Sequence, residues 1–532
     1  MTASSPSATR QIARAAGTVT LAFLITQLIG LGRGIIIYRS FGTSTDLDSF
    51  NAANRVAELL FNLMAGGALG SAFIPTFTGL LTREQKPLAW KLASAIANLL
   101  LGVLTLIAGL AAIFAPQIVH GGLFYLAPDL PPGQEALTIL LLRTLLPTVV
   151  IFGLSGLVMG ILNAHQRFWL PAIAPAMYSL GQIGGVLLLP AEWGIHRLAI
   201  GALLGALLHL LVQLPGLLRL RGKYTITLGL RLAEVRQVAG LMGPRILGVA
   251  VVQINFIVNT ILALSLPEGS VSAVTLAFTL MLMPQVAIAQ SAAIAAMPTF
   301  SAQVALGKLD ELRGALAATL RTVLLLAIPA TVGLIMLRFP LIRFLYEGGE
   351  FTSRSSELVA WALLWYTAGL VGHSLVEILA RAFYALHDTK TPVFVGVGAM
   401  LLNIVFSLIF AAAFNRWGWL PYGGLALANS IATALEMVVL LWLMTRRMQG
   451  LEGRTILAGL LPALLASGGL ALALWGWLAW SEGSPAYVRV LVGVVAGAGV
   501  YALLLWLLKV TEVRSLAATA ARYLKRLKTV IS

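Results

Sequence analysis

The sequence predicts an all-α, polytopic membrane protein with about 14 transmembrane helices, arranged as two six-helix lobes related by a pseudo-twofold axis along the membrane normal, plus two C-terminal helices. Three observations predict this class: the composition, the lengths of the apolar stretches and an internal repeat. The 532-residue chain is 59% hydrophobic and 11% charged, with a mean hydropathy of +0.91. Soluble domains are about 25% charged. The composition therefore excludes an ordinary soluble protein.

The apolar stretches have the length that a membrane span requires. Polar or Gly/Pro-rich breaks separate about 14 of them, each near the roughly 20 residues that cross a hydrocarbon core of about 30 Å. The first follows a polar stretch and lacks a small-residue cleavage site, so we expect a retained helix and not a signal peptide. The predicted spans are 17–39, 47–81, 89–116, 135–162, 168–190, 196–218, 237–266, 271–303, 312–337, 355–386, 391–414, 421–445, 455–480 and 486–509.

The distribution of Lys and Arg predicts that both termini are cytoplasmic. About 23 of these residues lie in tails and loops on one side, about 7 on the other, and six within spans complete the 36. An excess of basic residues marks the cytoplasmic side. The net charge of +16 therefore reflects topology, and we expect no nucleic-acid partner. The basic stretch from Thr511 onward has the pattern of an amphipathic helix that lies on the anionic leaflet.

Two pairs of similar segments indicate an internal repeat. AFIPTF at 72–77 recurs as AAMPTF at 295–300, and LNAHQRFWLP at 162–171 corresponds to FYALHDTKTP at 383–392. The two offsets are nearly equal and each spans six helices, which predicts parallel lobes with the substrate between them and transport by alternating access. The predicted domains are an N-terminal lobe at 1–220, a C-terminal lobe at 221–450, two additional helices at 451–510 and a basic tail at 511–532.

Arginine inside the apolar stretches is the strongest functional signal. An arginine at mid-membrane costs about 2.5–3.5 kcal/mol on insertion scales, so several of them predict a polar cavity whose guest is an anion. Arg321 lies nearer the end of its predicted span than the other arginines, so we favour the interpretation that its side chain snorkels to the interface. The six are Arg33, Arg55, Arg143, Arg245, Arg321 and Arg381.

Several segments resemble the MurJ (MviN) family of lipid II flippases, which belongs to the multidrug, oligosaccharidyl-lipid and polysaccharide exporter superfamily. They are GLGRGIIIYRSFGTSTDLDSF (30–50), GGALGSAFIPTF (66–77), GILNAHQRFWLPAIAP (160–175), LMGPRILGVAVVQINFIVNTI (241–261) and RAFYALHDTKTPV (381–393). The resemblance implies transport of an undecaprenyl-diphosphate-linked peptidoglycan precursor to the outer leaflet of the bacterial cytoplasmic (inner) membrane. It also implies a lipid-tail groove at the last two helices, membrane lipids and cell-wall synthesis machinery as partners, and a monomer.

The resemblance transfers unevenly to individual residues. Arg33 matches the arginine of the family's first-helix motif, and Asp48 matches the acid after the FG turn. At four further positions where the family's cavity carries arginines or an acid, this chain has Gln27, Phe61, Gly66 and Thr279.

Other charged residues are candidates to replace them in the anion site. Our predicted substrate-binding set is Arg33, Arg55 and Arg245, with Asp48 and Glu58 orienting them. Arginine suits a diphosphate because its planar fork of donors stays charged. Arg55 and Glu58 share a helical face, so they could instead neutralise each other. Arg245 lies near the start of its span and could instead snorkel to the interface.

Three further residues are assigned smaller roles. Arg143 lies within a turn of Pro147 and is expected to face the same cavity as a further member of the substrate-binding set. Glu377 and Arg381 are four apart on one predicted helix and form either a gating contact or a locally neutralised pair.

No cofactor and no metal is expected. The chain has no GxxxxGK[ST] loop, so we expect coupling to the membrane potential or an ion gradient in place of ATP hydrolysis. Its six His residues show no metal-ligand spacing. We therefore predict a transporter and not an enzyme. The alternatives are a flippase for another polyprenyl-linked glycan, a non-transporting envelope-synthesis scaffold, or a drug or cation antiporter of the same superfamily, which the excess of arginine disfavours.

Overall fold

A computed structural model describes residues 6–64, 68–127 and 131–514, and this part of the chain is almost entirely helical. The described residues contain no β-strand, and their only β-type pairing is an isolated bridge between Gly348 and Phe351. Two π-helical turns, Val119–Leu123 and Val286–Gln290, interrupt the helices. The α-helices are α1 Pro6–Phe41, α2 Thr45–Met64, α3 Ala68–Thr82, α4 Lys86–Ile113, α5 Ala115–Ile118, α6 Gln134–Ala164, α7 Trp169–Leu188, α8 His196–Leu211, α9 Leu214–Leu218, α10 Ala233–Leu264, α11 Ser270–Gln285, α12 Ser291–Ala305, α13 Leu309–Tyr346, α14 Ser353–Thr367, α15 Leu370–Ala385, α16 Lys390–Arg416, α17 Tyr422–Arg447, α18 Gly453–Trp480 and α19 Ala486–Leu507.

The described helices have the length and composition of membrane spans. Ten are long and apolar enough to cross a bilayer, and α14 with α15, which meet at an angle of 46°, give an eleventh. The other three predicted spans correspond to α1, to α2 with α3, and to α10. The prediction of an all-α, multi-pass membrane protein is confirmed.

The chain divides into two compact units. One extends to Ser272 and includes Gly348–Thr352, and the other comprises Ala273–Glu347 and resumes at Ser353. The first unit contains α10, which packs on α2 and α3. It therefore continues beyond residue 220, where the repeat places the end of the first lobe. A compact unit reflects packing whereas a repeat reflects equivalent segments, so the lobe boundaries stay a prediction.

The repeated segments share local backbone features within their own units. Pro75 lies inside α3 and Pro298 inside α12. In each case a residue with left-handed backbone conformation follows the proline by nine positions. These residues are Glu84 at φ 61° and Gly307 at φ 70°. The turns after α6 and α15 likewise contain Gln166 at φ 58° and His387 at φ 59°. The internal repeat thus extends from sequence to backbone conformation.

Glycines bring α7 and α8 into close contact. Gly181 and Gly185 on α7 face Gly201 and Gly205 on α8. A Cβ built at Gly201 would lie 2.9 Å from the Gly181 carbonyl oxygen and 3.0 Å from the Cα of Gly185. Small residues spaced four apart allow the backbones of two membrane helices to touch. Because lipid tails are themselves apolar, the hydrophobic effect does not drive this association, and van der Waals packing stabilises it. This contact fixes the position of α7.

We expect Gly201→Leu to destabilise the first unit. The new side chain has no room between the two backbones, and overpacking typically costs about 1–3 kcal/mol. Thermal unfolding of the purified protein in detergent should show a lower midpoint. Gly109→Leu on α4 is the matched control because a Cβ there meets nothing within 4 Å. Equal midpoints for the two variants would contradict the close-contact interpretation.

Candidate functional site

The structure places Arg33 in a chain of buried and half-buried polar groups that joins α1 to α7. Its Nη1 donates a hydrogen bond to Oε1 of Gln182 at 3.2 Å. Nε2 of Gln182 donates in turn to the Tyr178 hydroxyl at 3.2 Å, and Gln182 is only 4% exposed. The Nε of Arg33 is buried and has no hydrogen-bond partner in the described part of the chain. Arg33 therefore has a fixed orientation, and Gln182 accepts from only one of its five guanidinium N–H donors, which suits an incoming anion.

Arg55 and Glu58 form the ion pair that their spacing predicts. Nη1 of Arg55 lies 2.9 Å from Oε2 of Glu58, with the two side chains 24% and 44% exposed. Asn54 donates to the other carboxylate oxygen at 2.8 Å. The Arg55 guanidinium also lies over the Phe256 ring of α10, 5.0 Å from its centroid. Local neutralisation is thus present, and a role of this pair in binding substrate stays a prediction.

Asp48 is engaged by backbone groups. Its Oδ1 accepts from the Ser272 N–H at 2.7 Å and its Oδ2 from the Gly269 N–H at 2.9 Å. The carboxylate, 4% exposed, therefore holds the chain at the start of α11, where N–H groups lack helical partners. Thr45 makes a parallel contact, because its hydroxyl donates to Glu268 at 2.8 Å. No described hydrogen bond joins Asp48 to Arg33.

Of the two further predicted arginines, the structure describes the side chain of Arg143 only. Arg143 is exposed, and its Nε donates to the carbonyl of Ala112 at 3.0 Å, near the end of α4. This contact supplies a partner to a carbonyl at a helix terminus and is the only one described for the Arg143 side chain. Arg245 belongs to α10, and its side chain lies outside the described residues.

Two arginines in the second unit have acidic partners. Arg381 donates to Oε1 of Glu377 through Nη2 at 2.9 Å and Nε at 3.2 Å, as the four-residue spacing predicts. Arg321 pairs with Glu512, just beyond α19, at 2.8 Å. Sequence inspection missed this second pair because its members are 191 residues apart.

The polar chain from Arg33 contains residues that the sequence analysis did not select. Gln182 and Tyr178 lie four apart on α7, which packs on α1, α6 and α8, and Gln182 is buried whereas Tyr178 is half-buried. A glutamine in the middle of an apolar span was the available signal. Among the described residues, no group of three or more His, Cys, Asp or Glu side chains is placed to hold a metal ion.

The second unit contains an apolar groove of about 540 Å³ between α11, α13, α18 and α19. Tyr501 of α19 fixes one wall, because its hydroxyl donates to the Leu325 carbonyl at 2.7 Å. Residues that line the groove include Leu326, Gly333, Leu341, Leu474, Val494 and Gly497. The resemblance to the MurJ family implies a lipid-tail groove at the last two helices, and binding of a tail in this groove stays a prediction.

Comparison with known proteins identifies the family. The sequence model of the family described as lipid II flippase MurJ matches residues 37–491. The chain belongs to the MurJ family. The lipid II flippase MurJ of Burkholderia cenocepacia is 30% identical over 435 residues, covering 80% of this chain and 82% of the relative. The probable lipid II flippase MurJ of Vibrio cholerae is 30% identical over 432 residues, covering 78% and 80%.

Solved structures support the same fold. A lipid II flippase MurJ in an inward closed conformation matches with a TM-score of 0.78 at 24% identity, covering 91% of this chain and 97% of that one. An inward-facing multidrug transporter of the MATE family matches with a TM-score of 0.66 at 19% identity, covering 82% and 98%. At these identities the similarity establishes a membrane-transporter fold shared by MurJ and MATE proteins.

Proposed function

We propose that this chain is a flippase for lipid II, the undecaprenyl-diphosphate-linked peptidoglycan precursor, and that it moves this lipid from the cytoplasmic to the outer leaflet by alternating access. The observation that carries the proposal is the MurJ family match over residues 37–491. Movement of an intact lipid between leaflets breaks no covalent bond, so the protein is a transporter and needs no catalytic residue.

The first step is capture of the diphosphate by Arg33. A diphosphate leaves water at a high free-energy cost unless cations and hydrogen-bond donors replace its hydration. Arg33 offers guanidinium N–H donors beyond the one that is bonded to Gln182, and Gln182 holds its guanidinium in place. Arg55 is a second candidate cation, because an incoming diphosphate can compete with Glu58 for it. The site thus favours an anionic headgroup over a cationic drug.

Gln182→Leu should weaken substrate binding without unfolding the protein. Leucine fills a similar volume but leaves Arg33 without its acceptor, so the guanidinium samples other rotamers before binding. Ordering such a side chain costs about 0.5–1.5 kcal/mol, which predicts a loss of up to about tenfold in affinity. Binding of lipid II to the detergent-purified variant measures this. Gln213→Leu, a buried glutamine bonded to Ser155 and not to Arg33, is the control and should keep its affinity.

The polyprenyl tail stays in an apolar environment throughout, and the groove of the second unit provides one. Gly333→Trp should block it, since a Cβ at Gly333 meets nothing within 4 Å and a larger side chain therefore grows into the groove without a backbone clash. We expect transport of the long-tailed substrate to fall at least about tenfold, from the loss of a few buried methylenes at about 0.8 kcal/mol each. Gly476→Trp, which is exposed on α18 and outside the groove, should transport normally. Equal activity of the two variants would remove the groove from the pathway.

Several properties complete the proposal. The distribution of Lys and Arg supports an inner-membrane protein with both termini cytoplasmic. We propose that it acts as a monomer alongside the cell-wall synthesis machinery, binds no further cofactor, and draws on the membrane potential or an ion gradient.

Complementation tests the function directly. A strain whose own lipid II flippase is depleted should survive when this chain is expressed in its membrane. Rescue that is lost when Arg33 is replaced, at equal protein level, would support the proposal. Failure to rescue despite correct insertion would favour another polyprenyl-linked glycan as substrate, or a scaffold role.

A further inference from the structure

The segment between α9 and α10 is held across the start of α4. We call residues 221–232 the linker strap. The Thr225 N–H donates to Oγ of Ser94 at 3.1 Å, and Nδ2 of Asn98 donates to the Thr227 carbonyl at 2.9 Å. Ser94 and Asn98 are one helical turn apart, so they present one polar row to the strap. The strap is therefore fixed to α4 through alternate residues.

The apolar side chains that alternate with these contacts along the strap are exposed. Ile226 is 93% exposed, and Leu228 and Leu230 are 52% and 62% exposed, whereas the Tyr224 hydroxyl donates to Oδ1 of Asn98. A row of apolar side chains held outward is typical of a surface that meets a membrane. The strap thus has one side bonded to the protein and an apolar side that the protein leaves uncovered.

An apolar groove of about 360 Å³ lies beside the strap in the same unit. It is bounded by the first turns of α4, the last turns of α6 and the α8–α9 region, and Gly222 and Tyr224 of the strap close one end. Its lining includes Trp90, Ala97, Leu154, Leu157, Leu214 and Leu218. The walls are almost wholly apolar, and Leu218 is 74% exposed, so the groove is open to an apolar ligand.

Basic residues surround the closed end of this groove. Four exposed Lys or Arg residues are direct neighbours in the sequence of residues that line the groove. No ion pair joins any of the four to an acid in the described part of the chain. They are Lys91, Arg219, Arg221 and Lys223. Four uncompensated cations beside an apolar groove, at the end of a membrane helix, favour a ligand with an anionic head and an apolar chain.

We propose that the groove and strap bind one anionic phospholipid, with an acyl chain in the groove and its phosphate against Arg221 and Lys223. The exposed Ile226 and Leu228 then lie in the surrounding leaflet beside that lipid. The site is separate from the Arg33 chain and from the groove of the second unit, and it does not depend on the transported substrate.

Native mass spectrometry of the full-length protein in detergent tests the site, with phosphatidylglycerol and phosphatidylcholine of identical acyl chains as probes. We expect one phosphatidylglycerol to bind in preference to phosphatidylcholine. Each basic residue near a membrane surface contributes roughly fivefold to anionic binding, so Arg221→Gln/Lys223→Gln should lose about 30-fold. Lys390→Gln/Arg454→Gln removes two exposed charges from the second unit and should retain the preference.

Two further measurements separate a lipid from a free phosphate. Ala97→Phe, which fills the groove, should lower phosphatidylglycerol binding while all basic residues remain. Glycerol phosphate at millimolar concentration should not displace the lipid. If Arg221→Gln/Lys223→Gln and its control bind alike, the site does not exist. If glycerol phosphate displaces the lipid and Ala97→Phe binds normally, the basic residues form an anion site and the lipid assignment is wrong.

Discussion

Arg33→Ala is expected to abolish rescue of a flippase-depleted strain and to reduce lipid II binding by at least about 30-fold. Loss of one partner from a desolvated, hydrogen-bonded charge pair costs about 2–5 kcal/mol, because the remaining phosphate charge is left without compensation. Arg33 is positioned for this role by Gln182, and its buried Nε has no hydrogen-bond partner in the described structure. The measurement is lipid II affinity of the purified variant, together with complementation at matched membrane levels.

Arg143→Ala provides the comparison for this experiment. Both substitutions remove an arginine from an apolar helix, but Arg143 is exposed and donates to the Ala112 carbonyl at the end of α4. We therefore expect Arg143→Ala to bind lipid II normally. Thermal unfolding of Arg33→Ala should show at most the loss of one buried hydrogen bond, about 1–3 kcal/mol, because Oε1 of Gln182 loses its donor and no buried charge is left. Equal affinity of Arg33→Ala and Arg143→Ala would contradict a diphosphate site at Arg33.

The fold could be predicted from the sequence because the thickness of the bilayer sets the length of each membrane-spanning helix. Every backbone polar group inside the hydrocarbon must be satisfied within a helix, so apolar runs of about 20 residues translate directly into spans. The positions of α4, α6 and α16 follow the predicted runs within a few residues. The breaks inside predicted spans, such as the turn between α14 and α15, were not predicted, because the Ala368–Gly369 turn leaves the apolar run without a polar interruption.

Only part of the candidate site could be predicted from the sequence. The contacts that could be predicted join residues close in the chain, and those that could not join distant residues. Pairs one helical turn apart, Arg55 with Glu58 and Glu377 with Arg381, can be derived from helical geometry. Contacts between distant helices cannot, since they depend on rotation and packing. The bond from Arg33 to Gln182 spans 149 residues, and nothing in the local sequence of α7 indicates which of its faces meets α1.

Asp48 is the residue for which sequence and structure suggest different roles, and substitution distinguishes them. The sequence assigns it to orienting cavity arginines, whereas its carboxylate oxygens accept from the backbone N–H groups of Gly269 and Ser272. Asp48→Ala leaves both donors buried without a partner, at a cost of about 1–3 kcal/mol each. We expect a clearly lower unfolding midpoint, with lipid II affinity preserved in the fraction that remains folded.

Asp48→Asn refines this test. The amide oxygen can accept from one of the two backbone N–H groups, but the amide NH₂ then faces the other N–H group, and neither can accept. Its loss of stability should equal or exceed half that of Asp48→Ala, since one buried donor then faces another donor. Asp46→Ala, an exposed acid in the same first turn of α2, should leave the midpoint unchanged. A normal midpoint for Asp48→Ala, combined with lost lipid II binding, would instead assign Asp48 to the substrate site. The two quantities therefore separate an acid that holds α11 from one that serves Arg33.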